Sequence, residues 1–192
     1  MKKINLLVVF FVSFIILSCS NDDNNQNVNV GEMIVNGQSY SLTKGFIIPN
    51  YTGNDPNYSS RRFYFVLTNG DISLVNNEFV YSDNITQLID FNMFTSFENS
   101  GSLEETTYPI YLTNPNVNND DAFLDHSSIN TNVVIQNNEY VSSNSISSDN
   151  LIGQVTISKN NGIYTITFSF NNDDNVISGT FIGNLTELEY EH

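Results

Sequence analysis

Basic residues are nearly missing from this chain: six Lys and Arg stand against 21 Asp and Glu, for a net charge of −15. Nucleic acids and anionic lipid surfaces both reward cationic patches, so the deficit argues against either as a partner. Alanine is missing too, apart from Ala122. With Lys and Arg scarce, the best helix formers are almost absent, while Asn, Phe, Tyr, Ile, Val and Thr abound. Cysteine occurs once, at Cys19, so no internal disulfide can form and any core must hold by packing. There is no tryptophan, the usual best platform for stacking on a sugar ring. No GxSxG elbow, P-loop, Rossmann glycine pattern or HExxH pair occurs. No repeat recurs at a solenoid or propeller period.

What is present begins with an address. Lys2 and Lys3 precede an apolar run from Ile4 to Leu17, interrupted only by Asn5 and Ser13. A bilayer core needs roughly twenty apolar residues. The run is shorter, and its basic flank fits the hydrophobic region of a secretory signal. Ile16-Leu17-Ser18-Cys19 then resembles the lipobox of bacterial lipoproteins. The resemblance implies cleavage between Ser18 and Cys19, diacylation of the Cys19 thiol and acylation of its new amino group. Each buried acyl CH₂ contributes about 0.8 kcal/mol, so two or three chains hold a protein to a membrane where one would be marginal. Ser20, Asn21, Asp22 and Asp23 are similar to the export signal of Bacteroidota lipoproteins, which directs them to the outer face of the outer membrane. The same residues also read as the start of a solvated linker, which leaves the periplasmic face as the alternative. The expected organisation is a signal peptide over 1–18, a lipidated cysteine and flexible acidic, Asn-rich tether over 19–30, and one domain over 31–192. Cleavage removes two lysines and makes the mature chain more acidic still.

Alternation of apolar and polar residues predicts strands throughout that domain. Met33 to Leu42 reads as a hairpin about a type I′ turn at Asn36-Gly37. Phe46 to Ile48 continues as a strand that Pro49 ends or confines to an edge. Pro49 to Arg62 reads as loop; Phe63 to Leu67 as a strand leading to a turn at Asn69-Gly70, with Ile72 to Val75 returning. Phe79 to Tyr81 is short and apolar, and Leu88 to Phe97 suits a strand better than a helix. Thr106 to Thr113 is a strand with Pro109 at an edge, and Asn114 to Ser128 a long Asn/Asp-rich loop. Asn132 to Gln136 and Glu139 to Val141 pair about Asn137-Asn138, with Ser142 to Asn150 a Ser-rich loop. Ile152 to Leu185 forms a three-strand meander, in which Gly179 and Gly183 leave room for a large cross-strand aromatic or mark bends. Thr186 to Tyr190 makes a last, charge-blunted edge.

So many short strands imply an all-β domain, a single antiparallel β-sandwich with a barrel as the alternative. The hairpin VNGQSYSL, the run GQVTISKNNGIYTITFSF and the ending ISGTFIGNL together resemble a group of small lipoproteins from Flavobacterium-like bacteria. That resemblance implies a β-sandwich and an envelope location, and transfers no catalytic residue.

Candidate chemistry is thin. Asp120, Asp121, Asp125 and His126 fall in one predicted loop, where a carboxylate beside an imidazole could serve acid–base chemistry or a metal. Asn118 to Asp121 and the stretch holding Asp173 and Asp174 are rich in hard oxygen donors and are weak calcium candidates. Neither fits an EF-hand, and Asn and Asp favour turns for backbone reasons. Glu104 and Glu105 could supply half of a glycosidase pair. Tyr51 and Tyr58 could form a ligand-binding loop. The expectation is a lipid-anchored outer-membrane domain facing the cell surface, binding or scaffolding without catalysis. It uses no cofactor or metal, and its candidate partners are a glycan or a protein. A structural envelope protein without a ligand is the alternative, a carboxylate-based hydrolase or calcium-binding module less favoured.

Overall fold

The computed structural model describes residues 29–49, 61–99, 101–110, 121–147 and 151–189. They carry fourteen strands: β1 Val30–Val35, β2 Gln38–Ser41, β3 Lys44–Pro49, β4 Arg62–Thr68, β5 Ile72–Val75, β6 Glu78–Tyr81, β7 Gln87–Phe94, β8 Thr107–Pro109, β9 Phe123–Gln136, β10 Glu139–Ser147, β11 Ile152–Asn160, β12 Ile163–Asn171, β13 Val176–Gly183 and β14 Thr186–Glu187. One 3-10 turn spans Phe97–Asn99. Among the described residues no helix is long and apolar enough to cross a membrane.

Two six-stranded sheets result, ordered β2-β1-β13-β12-β11-β8 and β10-β9-β7-β4-β3-β14, with β5-β6 as a separate ribbon. Pairing among these strands is antiparallel except where β14 runs parallel to β3, and an isolated parallel bridge joins Ile110 to Leu124. The sheets are not closed into a barrel, so the sandwich reading holds and the barrel alternative falls. One core joins them: Phe65, Leu67, Ile89, Phe91 and Met93 of the second sheet pack with Met33, Val155, Ile166, Phe168 and Phe181 of the first. Phe91 meets Phe168 and Phe170 at ring-centroid distances of 5.5 and 6.2 Å. Burying such a side chain contributes about 1.5–3 kcal/mol.

The second sheet is covered on its outer face as well. There Phe46, Val66, Ile85, Leu88, Val133 and Ile135 form a second cluster with Ile72 of the β5-β6 ribbon. All eight residues of β7 are consequently buried.

The turns follow local chemistry. Asn36 and Gly37, Asn137 and Asn138, and Asn161 and Gly162 all take positive φ between paired strands, as a type I′ hairpin turn requires. Asn69-Gly70 does not. The strand Ile72–Val75 pairs with Glu78–Tyr81 about Asn76 and Asn77, not with β4. The Asn69 side chain instead bonds the Thr86 backbone N–H at 3.0 Å and the Asn84 carbonyl at 3.1 Å, and so ties β4 to the approach of β7.

Three expected loops are shorter than predicted. Arg62 opens β4, β9 begins at Phe123, and β10 extends to Ser147. The alternation of Ser and Asn along β10 hid a strand because it is a mostly exposed edge with little apolar signal. β14, expected to be the last edge, is only Thr186–Glu187 and lies on the second sheet.

Candidate functional site

The N-terminal residues Ser18, Cys19, Ser20, Asn21, Asp22 and Asp23 lie outside the described residues, as do Tyr51, Tyr58 and Asp120. Asp125 and His126 are not in a loop with Asp121. They sit on β9, where a bulge sets both opposite Asn92 of β7. Asn92 accepts from Arg62 Nε at 2.7 Å and donates to Asp125 Oδ2 at 3.0 Å, which spends that carboxylate on a strand-to-strand bridge. The carbonyl of Asp121 accepts from the guanidinium of Arg61 at 3.3 Å. Arg61 is 1% exposed and also donates to the Thr95 carbonyl at 2.6 Å, so it ties the start of β4 to the end of β7 and the approach to β9.

Asp173 and Asp174 are exposed at the β12-β13 turn. The N–H groups of Asp174 and Asn175 donate to Asn172 Oδ1 at 3.0 and 2.7 Å, an Asx turn serving its own backbone. Glu104 accepts from the Ser96 N–H at 3.1 Å and Glu105 from the Lys159 N–H at 2.7 Å. Among the described residues no three His, Cys, Asp or Glu side chains converge as a metal-holding set.

The structure brings a different group together. On the outer face of the second sheet, a groove of about 640 Å³ opens between the β5-β6 ribbon and β10. Its lining includes Tyr64 of β4, Tyr81 of β6, Asp90 of β7, Asn130 of β9, and Tyr140 and Ser143 of β10. The ribbon is tied in place where the Tyr81 N–H donates to the Asn138 carbonyl at 3.1 Å. Tyr64, Phe79, Tyr81 and Tyr140 form a continuous row, with successive ring centroids 6.0, 6.0 and 6.2 Å apart.

Beside them the polar groups serve one another. Tyr140 OH and Ser143 Oγ both donate to Asn130 Oδ1, at 3.1 and 3.0 Å, and Asn130 Nδ2 donates to Ser128 Oγ at 2.8 Å.

Asp90 sits in register between Val66 and Ser128 and is only 8% exposed. Burial raises its carboxyl to about 7, against the lowering effect of a hydrogen bond from the Ser128 backbone. Tyr81 is pushed up to about 12, by burial first, then by Asp90 and Tyr140.

Sequence reasoning passed over this site because Asp90 alternates with buried Ile89 and Phe91, and the polar half of such a strand ordinarily meets water. The usable signal was one carboxylate in a run otherwise free of charge, QLIDFNMF. Comparison with protein-family models, curated proteins and solved structures finds no match for this chain.

Proposed function

We propose that this chain is a lipid-anchored outer-membrane domain, displayed at the cell surface, that binds a ligand without transforming it. The groove bounded by Tyr64, Tyr81, Asp90 and Tyr140 carries the binding half of this reading. Pockets of roughly 300–1,000 Å³ with aromatic walls and few convergent polar groups suit small ligands. Among the described residues Asp90 is the one carboxylate in the lining, so they form no carboxyl pair of the kind glycoside hydrolysis uses.

Lipidation of Cys19 carries the anchoring half, with Ser20 to Asp23 as the surface signal. Alkyne fatty-acid labelling of cells should mark the wild type and not Cys19→Ala; a labelled variant refutes the anchor. Protease shaving of intact cells should remove the domain, and full protection would place it on the periplasmic face. A glycan array and a small-molecule thermal-shift screen of the full chain in detergent should yield a ligand whose effect is lost in Tyr81→Ala. A ligand retained by that variant would move binding elsewhere, and no ligand at all would favour a purely structural envelope protein.

A further inference from the structure

We propose that the groove takes a small organic cation, an amine or quaternary ammonium, with its charge on Asp90 and its carbons against Tyr64, Tyr81 and Tyr140. The inference rests on the binding-domain reading and names the chemistry of its ligand.

Asp90 is 8% exposed, and among the described residues no Lys, Arg or His lines the groove beside it. A carboxylate buried without a counter-ion is costly, and an external cation supplies what the chain does not. The titratable groups facing it are Tyr64 from β4, Tyr81 from β6 and Tyr140 from β10. The nearest basic side chains on that face stand one rung along the strands. There His126 pairs with Asn92 beside the bulged Asp125, and Arg62, in register with Phe94 one rung further on, donates to Asn92 Oδ1 at 2.7 Å.

Aromatic rings add to the pull on a cation through their negative faces, the more so where water is excluded. A neutral polyol finds less here. Tyr140, Ser143, Asn130 and Ser128 already satisfy one another, so binding a sugar would mean breaking bonds to make bonds. An anion would meet a carboxylate on a chain of net charge −15, which repels anions and concentrates cations.

Because burial holds the Asp90 proton to about pH 7, a cation competes with that proton. Affinity then rises with pH, about tenfold between pH 6 and pH 8, with one proton released on binding at the lower pH.

The test is calorimetric titration of the full chain in detergent with three probes: choline, a tripeptide carrying one lysine, and maltose. Saturable binding of choline or of the lysine peptide supports the proposal. Choline alone points to free ammonium compounds, the peptide alone to amino side chains. Affinity should climb about tenfold from pH 6 to pH 8. It should vanish in Asp90→Asn and survive in Tyr81→Phe, which keeps the ring. Asp90→Asn removes a buried charge and is expected to fold at least as well as wild type, which a thermal melt verifies. The proposal is overturned if neither cation binds, if Asp90→Asn binds as wild type does, or if affinity is flat with pH. Binding of maltose alone overturns the cation while leaving the binding-domain reading standing. Failure of that reading shows separately, as an empty glycan array and ligand screen.

Discussion

Phe168 of β12 lies directly across from Gly179 of β13, and its ring occupies the space that a side chain at 179 would need. A Cβ on Gly179 would come within 2.2 Å of Phe168 Cζ and 2.5 Å of the Glu32 carbonyl oxygen. The second of these is backbone and cannot move aside cheaply.

Gly179→Ala should therefore destabilise the domain by about 1–3 kcal/mol, as overpacking does in a filled core. Phe168→Leu should cost a similar amount by leaving a void, yet the double variant should lose less than the two added together. Urea unfolding of the four proteins measures the coupling. Strict additivity would show that the ring and the glycine are independent.

The buried acid gives a signed pH prediction. The folded chain holds the Asp90 proton up to about pH 7, whereas the unfolded chain releases it near 3.8. Folded protein thus binds more protons across that window, and stability falls as pH rises from about 4 to about 7, by roughly 4 kcal/mol at most, then levels. Asp90→Asn lacks this slope, so its advantage over wild type should grow across the same interval. Denaturant melts at pH 5, 6, 7 and 8 give the difference, and parallel curves would mean that Asp90 titrates as a solvated acid.

Asn132 interrupts β9 with φ of 52°. Ile129, on one side of it, faces the core between the sheets, while Val133 and Ile135 pack into the outer cluster although they share its odd-numbered parity. One left-handed residue has switched the face. Asn132→Gly should be nearly neutral and Asn132→Val should cost about 1–2 kcal/mol or more, since a β-branched side chain resists that backbone. Equal stabilities in a thermal melt would refute the face-switching role.

At the first hairpin, Asn36 does more than turn. Its Oδ1 accepts from the Val176 N–H at 2.8 Å and its Nδ2 donates to Asn175 Oδ1 at 3.2 Å. Asn36→Gly keeps the turn and removes both bonds, for an expected loss of about 1–2 kcal/mol. A cost near zero would assign the residue to conformation alone.

Short-range chemistry was enough for much of this. The turns at Asn36-Gly37, Asn137-Asn138 and Asn161-Gly162 were readable because a two-residue hairpin needs positive φ, which Asn and Gly tolerate. Of the two strand glycines expected to make room for an aromatic or mark a bend, Gly179 does face the Phe168 ring, whereas the space at Gly183 is taken by Asn29, a segment far off in sequence. The scarcity of alanine and the alternation of Phe, Tyr and Ile with Thr and Ser were enough for an all-β domain.

Partners and faces were not readable, because they depend on segments far apart in the chain. Asn69-Gly70 looks like a hairpin turn, yet β4 pairs with β3 and β7. The outward row of β7 reads as a surface until the β5-β6 ribbon and the bulged β10 rise on either side and close water off from Asp90. Alternation records which residues share a side; only packing decides whether that side meets solvent. The groove exists for that reason, and so does the shifted acid on its floor.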